Sequence, residues 1–178
     1  GKLELKTHRK ESGSFITIFT KSPTNLMSNS ELLDRYGYPR EHDGKIVLHQ
    51  TISSDKINKK GFQLSLNERG QVFEIKKDGL NVAYYDKNEI KNKFFEKIGD
   101  GVILVLVERK KDQENREEFK YSEAYLLKDI NFEEFYKLIY YDIRIGRNPN
   151  GSVHDHGSAF RIKKQDLPKI FKIYEKIL

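Results

Sequence analysis

Near the start of the chain, "LELKT" (residues 3–7) sets Glu4 and Lys6 two positions apart. In an extended segment, residues i and i+2 share a face. The carboxylate and the ammonium therefore project together, and Leu3 and Leu5 are expected to turn the other way, into a core. A carboxylate can ligate a divalent cation, and a neighbouring ammonium can orient water and stabilise charge on a phosphate. Phosphodiester hydrolysis needs those groups, plus at least one more carboxylate on the metal. Spacing alone does not separate this chemistry from a solvated strand face, because Glu-x-Lys recurs at Glu74–Lys76, Glu89–Lys91 and Glu118–Lys120. Glu89–Lys91 falls on a predicted helix, where i and i+2 do not face each other. Glu74–Lys76 flanks a hairpin turn and reads as a cross-strand surface pair. Asp112, upstream of Glu118, sits in a charge run that reads as a solvated hairpin tip.

A second chemical stretch is "GSVHDHGSAFRI", residues 151–162. Extended backbone would put His154 and His156 on one face. Imidazoles suit zinc, but two of them need Asp142 or Asp155 to complete a site of three or four ligands. The same residues suit base recognition. Arginine pairs bidentately with guanine and an aspartate accepts from a cytosine amino group, so Asp155 with Arg144, Arg147 and Arg161 would read base edges. A polar connecting loop with solvated histidines is the remaining reading. Thr7, His8, Arg9 and Lys10, just past the Glu-x-Lys pair, suit phosphate contacts, which position a nucleic acid without specifying its sequence. A solvated turn accounts for them equally well.

These groups must be positioned by a chain of 178 residues, long enough for one domain or two small lobes. Apolar residues make up 37%, with ten Tyr and eleven Phe, which excludes a disordered chain. Cysteine is absent, which removes disulfides and thiolate metal sites and fits a cytoplasmic protein. No apolar run spans a bilayer and no signal-peptide pattern opens the chain. The net charge of +6 permits a polyanionic partner without requiring one. Strand character dominates the first two thirds, from "KLELK" and "SFITIFT" to "NVAYYD", with turns expected at Asn67–Gly70 and Asp78–Gly79. Helices are expected at "SNSELLDRYG", closed by Gly37, and at "DKNEIKNKFFEKIG", with Asp86 and Glu89 as a capping pair and Gly99 as its stop. Two more are expected at "NFEEFYKLIYY", capped by Asn131, and at "DLPKIFKIYEKIL", where Pro168 sits near the start. "GVILVLVERK" reads as a strand buried on both faces. The fold class is α/β, or α+β, with a mixed sheet.

In order along the chain, "LELKT", "SFITIFTKSP", "YYDIR" and "HDHGSAFRI" resemble the MvaI/BcnI family of type II restriction endonucleases, from residue 1 to near the C-terminus. "HDHGSAFRI" is the most specific of the four. "LELKT" alone resembles many nucleases, including mismatch-repair nicking endonucleases of the MutH type. The resemblance implies a PD-(D/E)xK restriction-endonuclease-like fold with two lobes forming a DNA cleft, a catalytic lobe around residues 1–60 and a recognition lobe including about 140–165. It implies a monomer that cuts double-stranded DNA with Mg²⁺ at short CC-N-GG-type sites, one strand at a time. Glu4 matches the metal-ligating Glu and Lys6 the Lys beside the attacking water. Asp142 and Arg144 match a recognition Asp-x-Arg, and His154, Asp155, His156 and Arg161 match positions at the base edges. The family pattern also has an Asp a few residues before the Glu, which here would precede residue 1. The expectation is therefore a chain lacking its N-terminal helices and first metal-binding carboxylate, with impaired Mg²⁺ binding and cleavage. A DNA-binding module without catalysis and a MutH-like nicking enzyme are the alternatives.

Overall fold

A computed structural model describes residues 1–67, 69 and 72–178. The turn expected over Asn67–Gly70 includes residues 68 and 70, which lie outside that described set. In chain order the elements are β1 (Leu3–Arg9), β2 (Phe15–Thr20), α1 (Asn29–Tyr36), β3 (Tyr38–Pro39), β4 (Ile46–Ser53), β5 (Phe62–Leu66), β6 (Val72–Lys77), β7 (Leu80–Asp86) and α2 (Lys87–Ile98). They continue with β8 (Gly101–Lys111), β9 (Glu117–Ile130), α3 (Phe132–Leu138), β10 (Tyr140–Arg147), β11 (Val153–Asp155) and β12 (Ala159–Lys163). A 3-10 turn (Lys164–Asp166), α4 (Leu167–Ile170) and β13 (Phe171–Lys176) close the chain. Among the described residues no helix is long and apolar enough to cross a membrane.

The chain divides into two compact units. The first comprises Gly1–Ile16, Phe94–Tyr136 and Ile162–Leu178, and the second Thr17–Lys93 and Lys137–Arg161. The first unit is built on a four-stranded sheet of order β1-β8-β9-β13. Strand β1 runs parallel to β8, whereas β8–β9 and β9–β13 are antiparallel. The sheet is thus mixed, as the pattern of elements predicts. Val102, Leu104, Leu106 and Leu127 are buried on one face of it. Phe94, Phe132 and Phe135 form a cluster of edge-to-face rings in the same unit. On β8 the alternate residues Ile103 and Val105 are only half-buried, so one face of that strand is core and the other partly open. Asp112 lies at the β8–β9 hairpin tip and pairs with Arg116, as its charge run predicts.

The second unit holds most of a sheet of order β2-β12-β10-β4-β3, with β11 paired to β10, and a three-stranded sheet β5-β6-β7. Asp78 and Gly79, at φ 49° and 82°, form the expected tight turn between β6 and β7. Phe19, Tyr85, Tyr141 and Phe160 pack ring against ring, with centroids 4.7 to 5.3 Å from Phe160. Helix α1 starts as its sequence dictates: Ser28 and Glu31 make a reciprocal capping box.

Two predicted helices are shorter than their patterns suggest. The helix opened by the Asn131 cap ends at Leu138, and Tyr140 and Tyr141 belong to β10. The final helix is a single turn: Leu167–Ile170 is helical, and "FKIYEK" becomes β13. Its aromatic and β-branched residues suit a pleated strand, and the long β9 offers Tyr125 to Ile130 as an edge to pair with. Tertiary pairing overrides a local period that both structures could satisfy.

Helix α2 ends where Gly99 adopts φ +67° and donates its N–H to the Phe95 carbonyl. The next amide, of Asp100, donates to the Lys2 carbonyl at 2.8 Å, which fastens the helix end to the start of β1. A Cβ on Gly99 would lie 2.6 Å from that carbonyl oxygen. Gly99→Ala is therefore expected to lower stability by about 1–2 kcal/mol through the left-handed backbone alone, and by more through the clash. A shift of the denaturant midpoint measures it, and an unchanged midpoint contradicts this account of the helix end.

Candidate functional site

Strand β1 alternates in burial along its whole length. Glu4, Lys6 and His8 are half-buried, and Leu3, Leu5, Thr7 and Arg9 are exposed. The shared face of Glu4 and Lys6 is as predicted, but the expected direction of the core is reversed, since Leu5 is 64% exposed. The register supplies the reason. Glu4 and Lys6 lie opposite Val102 and Leu104, which are 3% and 1% exposed, so the charged residues stand on the core side of the sheet at its edge. Thr7 and Arg9 project to the other face, away from the pair they follow in sequence.

The Glu4 carboxylate faces two ammonium groups. Lys97, from the last turn of α2, lies 3.0 Å from Oε1, and Lys6 lies 3.9 Å from the same oxygen. The hydrogen bond from Lys97 is the main cause of a Glu4 pKa below the ordinary carboxylate value, against an opposing effect of burial, and Lys6 adds to the lowering. Burial is the main force pulling the Lys6 pKa down; Glu4 pulls it up and Lys97 pulls it further down. Lys97 carried no local signal in the sequence. Its role depends on the Gly99 turn and on where α2 lands, which are long-range facts.

A hard oxygen donor at Glu4 suits Mg²⁺, a cation that keeps several waters and takes substrate phosphate oxygens alongside one or two carboxylates. Among the described residues no three ligating side chains converge on a common point. Glu4 therefore fits as one ligand of such an ion and does not form a protein-only cage.

In the second unit, Asp142 on β10 is 1% exposed and accepts from two arginines through Oδ2. Arg144 Nη2 lies 3.0 Å away and Arg161 Nη1 2.9 Å away. The strand order explains the convergence, for β12 brings Arg161 opposite Tyr140 and Ala159 opposite Asp142. Asp142 Oδ1 and Arg161 Nε are buried without a hydrogen-bond partner. The backbone amide of Arg144 donates to Ser158 Oγ at 2.8 Å, and the amide of His156 donates to the Arg144 carbonyl at 2.7 Å.

The His-Asp-His stretch is β11 and the turn after it. Asp155 Oδ1 accepts from the amides of Gly157 and Ser158 at 2.9 and 2.6 Å, and Oδ2 accepts from the Ser22 hydroxyl. Asp155 is thus the brace of the loop. His154 and His156 are exposed, with ring centroids 5.1 Å apart. Tyr85 donates to the carbonyl of Ser22, the residue whose hydroxyl Asp155 accepts, at 2.7 Å, and Tyr141 donates to the Lys21 carbonyl at 2.7 Å. Among the described residues no third ligand joins the two histidines into a zinc site, and Asp142 pairs with arginines while Asp155 holds the loop.

Arg144 and His156 also line a pocket of about 300 Å³ together with Arg40, Lys45, His49 and Arg147. Gly146 forms part of the same wall, and a Cβ there would lie 3.0 Å from His156 Nε2. His49 sits directly opposite Arg144 on β4, a neighbour that only the strand register reveals.

The model of the MvaI/BcnI restriction endonuclease family matches residues 2–171. Among solved structures, restriction endonuclease MvaI in complex with its cognate DNA substrate is similar to this chain at 29% identity and a TM-score of 0.81. The match covers 99% of this chain and 78% of that one. MvaI in the absence of DNA matches at the same identity and coverage with a TM-score of 0.70. No curated protein is significantly similar to the chain.

Proposed function

The chain belongs to the MvaI/BcnI restriction endonuclease family and is a type II restriction endonuclease, and from that premise we propose that it hydrolyses double-stranded DNA with Mg²⁺ at a short CC-N-GG-type site, as a monomer, through Glu4 and Lys6. The observation that carries this reading is the placement of both side chains on the core-side face of an edge strand, half-buried and facing one another. That position limits hydration and gives charge on a phosphate more weight than it has at an open surface.

Glu4 supplies the carboxylate oxygen for the cation. What Mg²⁺ supplies when bound is charge for a phosphate oxygen and a more acidic coordinated water. Lys6, held by the β1–β8 ladder, directs its ammonium at the charge that grows on the phosphate as water attacks. Lys97 pairs with the same carboxylate.

Sequence is read in the second unit. The shared Oδ2 of Asp142 fixes the two guanidinium groups of Arg144 and Arg161, and an arginine fixed in this way is prepared for bidentate contact with guanine. His154 and His156, exposed beside them, complete the reading surface. Asp142 and Asp155 contribute by holding these groups in place, Asp142 through the Oδ2 that both arginines share and Asp155 through both of its oxygens. Replacing Arg161 or Arg144 by alanine is expected to cost about 1–3 kcal/mol against the correct site and to relax the requirement at one base pair. Duplex binding measured over site variants and salt concentrations tests this. A loss equal on all sequences, with a shallower salt slope, would mark phosphate contacts and overturn the base-reading role.

A further inference from the structure

His49 on β4 is the register partner of Arg144 on β10. Partners across an antiparallel pair project to the same face, with Cβ atoms about 4.5–5.5 Å apart. Both side chains accordingly line one pocket, together with His156, Arg40, Lys45 and Arg147. The His49 backbone is fixed: the ladder continues past it in both directions, and the Tyr38 hydroxyl donates to its carbonyl at 2.8 Å. Its ring makes no hydrogen bond among the described residues, and neither ring nitrogen is sealed from solvent.

The neighbouring side chains decide what this ring adds. Arginine and lysine only donate. Arg40, Lys45, Arg144 and Arg147 therefore match the acceptors of a guanine or a phosphate, and leave the amino group of a base unmet. The carboxylates nearby do not fill that gap. Both Asp155 oxygens hold the loop, and Asp142 shares Oδ2 between two arginines while its Oδ1 is buried. His156 turns Nε2 onto β10, 3.0 Å from where a Gly146 Cβ would stand. A neutral imidazole always keeps one nitrogen as an acceptor. His49 is held neutral first by burial, then by Arg144, Arg40 and His156, with Asp142 opposing them.

We propose that His49 is a specificity-determining residue, whose ring nitrogen accepts a hydrogen bond from the exocyclic amino group of a cytosine beside the guanine that Arg144 meets. This rests on the nuclease reading given above. The arginines meet the acceptors of the site, and His49 supplies an acceptor for one of its donors.

Binding of site duplexes in Ca²⁺, without cleavage, tests the assignment. In each duplex one cytosine is replaced by a pyrimidinone that lacks only the amino group. Wild type is expected to lose about tenfold in affinity at the position His49 reads. His49→Ala loses the same factor on the unmodified duplex and nothing further at that position, while its penalties elsewhere match those of wild type. His49→Gln keeps an acceptor oxygen and recovers part of the loss. A His49→Ala protein that keeps the whole wild-type pattern of penalties overturns the role, whether its overall affinity is unchanged or uniformly weaker. The pH dependence gives a second readout. An imidazolium has no acceptor, so the wild-type preference for the amino group at that position fades as pH falls and the ring takes a proton. An equal fade in His49→Gln would assign the titration to His154 or His156 and contradicts the proposal. Wild-type protein that binds site and unrelated duplexes alike faults the nuclease reading itself, and the proposal with it.

Discussion

Lys6→Ala is expected to lower the rate of DNA cleavage by about 10²–10³-fold and to leave duplex affinity nearly unchanged. The side chain is only 14% exposed and its backbone is locked opposite Leu104, so it reaches a fixed point on the face of β1. Removing it does not strand the Glu4 carboxylate, because Lys97 remains 3.0 Å from the same oxygen. The lost rate therefore reports the ammonium that meets the phosphate and not a newly unpaired acid. Lys97→Ala provides the contrast. Its side chain is 52% exposed, and an ion pair in that setting contributes about 0–1 kcal/mol to stability. Single-turnover rates and binding constants for the two variants separate these roles. Cleavage by Lys6→Ala within a few-fold of wild type removes Lys6 from the chemistry.

Asp142→Ala is expected to produce the largest loss of stability. The carboxylate is 1% exposed and holds two guanidinium groups through one oxygen. Deleting one partner of a fully buried ion pair costs about 3–5 kcal/mol; Arg144 and Arg161 are 36% and 27% exposed, so water takes up part of the lost pairing and the loss falls toward the lower end of that range. The same change frees Arg144 and Arg161 to swing, so discrimination at the bases they meet falls as well. Asp142→Asn keeps the shape and one acceptor oxygen and should retain more of both. Denaturant midpoints give the first effect, and the ratio of affinities for correct and single-substituted duplexes gives the second. An unchanged midpoint in Asp142→Ala contradicts the assignment of this carboxylate as the support for both arginines.

Strand alternation in "LELKT" was enough to place Glu4 and Lys6 on one face. It was not enough to say which face is core. Leu3 and Leu5 look inward-facing by composition, yet burial on an edge strand depends on what packs against it, and β8 puts Val102 and Leu104 on the charged side. The order of motifs and "HDHGSAFRI" carried the family. The internal division of labour within that stretch was not legible, because only the tertiary partners show that Asp155 braces a loop and Asp142 binds two arginines. The C-terminal segment failed for a related reason. Leu167, Ile170 and Phe171 satisfy a helical period, and the edge of β9 then takes the chain over. Lys97 and His49 lie where a helix end and a strand register bring them, and neither is encoded by nearby residues.

The most direct test follows supercoiled plasmid carrying a single CC-N-GG-type site, treated with the purified protein and, in parallel, with Glu4→Gln. The account predicts nicked and then linear DNA with Mg²⁺, none with a chelator, and none from Glu4→Gln even though that variant still binds the duplex. Cutting that persists in Glu4→Gln or in chelator, or that proceeds equally on a plasmid without the site, contradicts it. Binding without cutting by the wild type would leave a DNA reader in place of an enzyme.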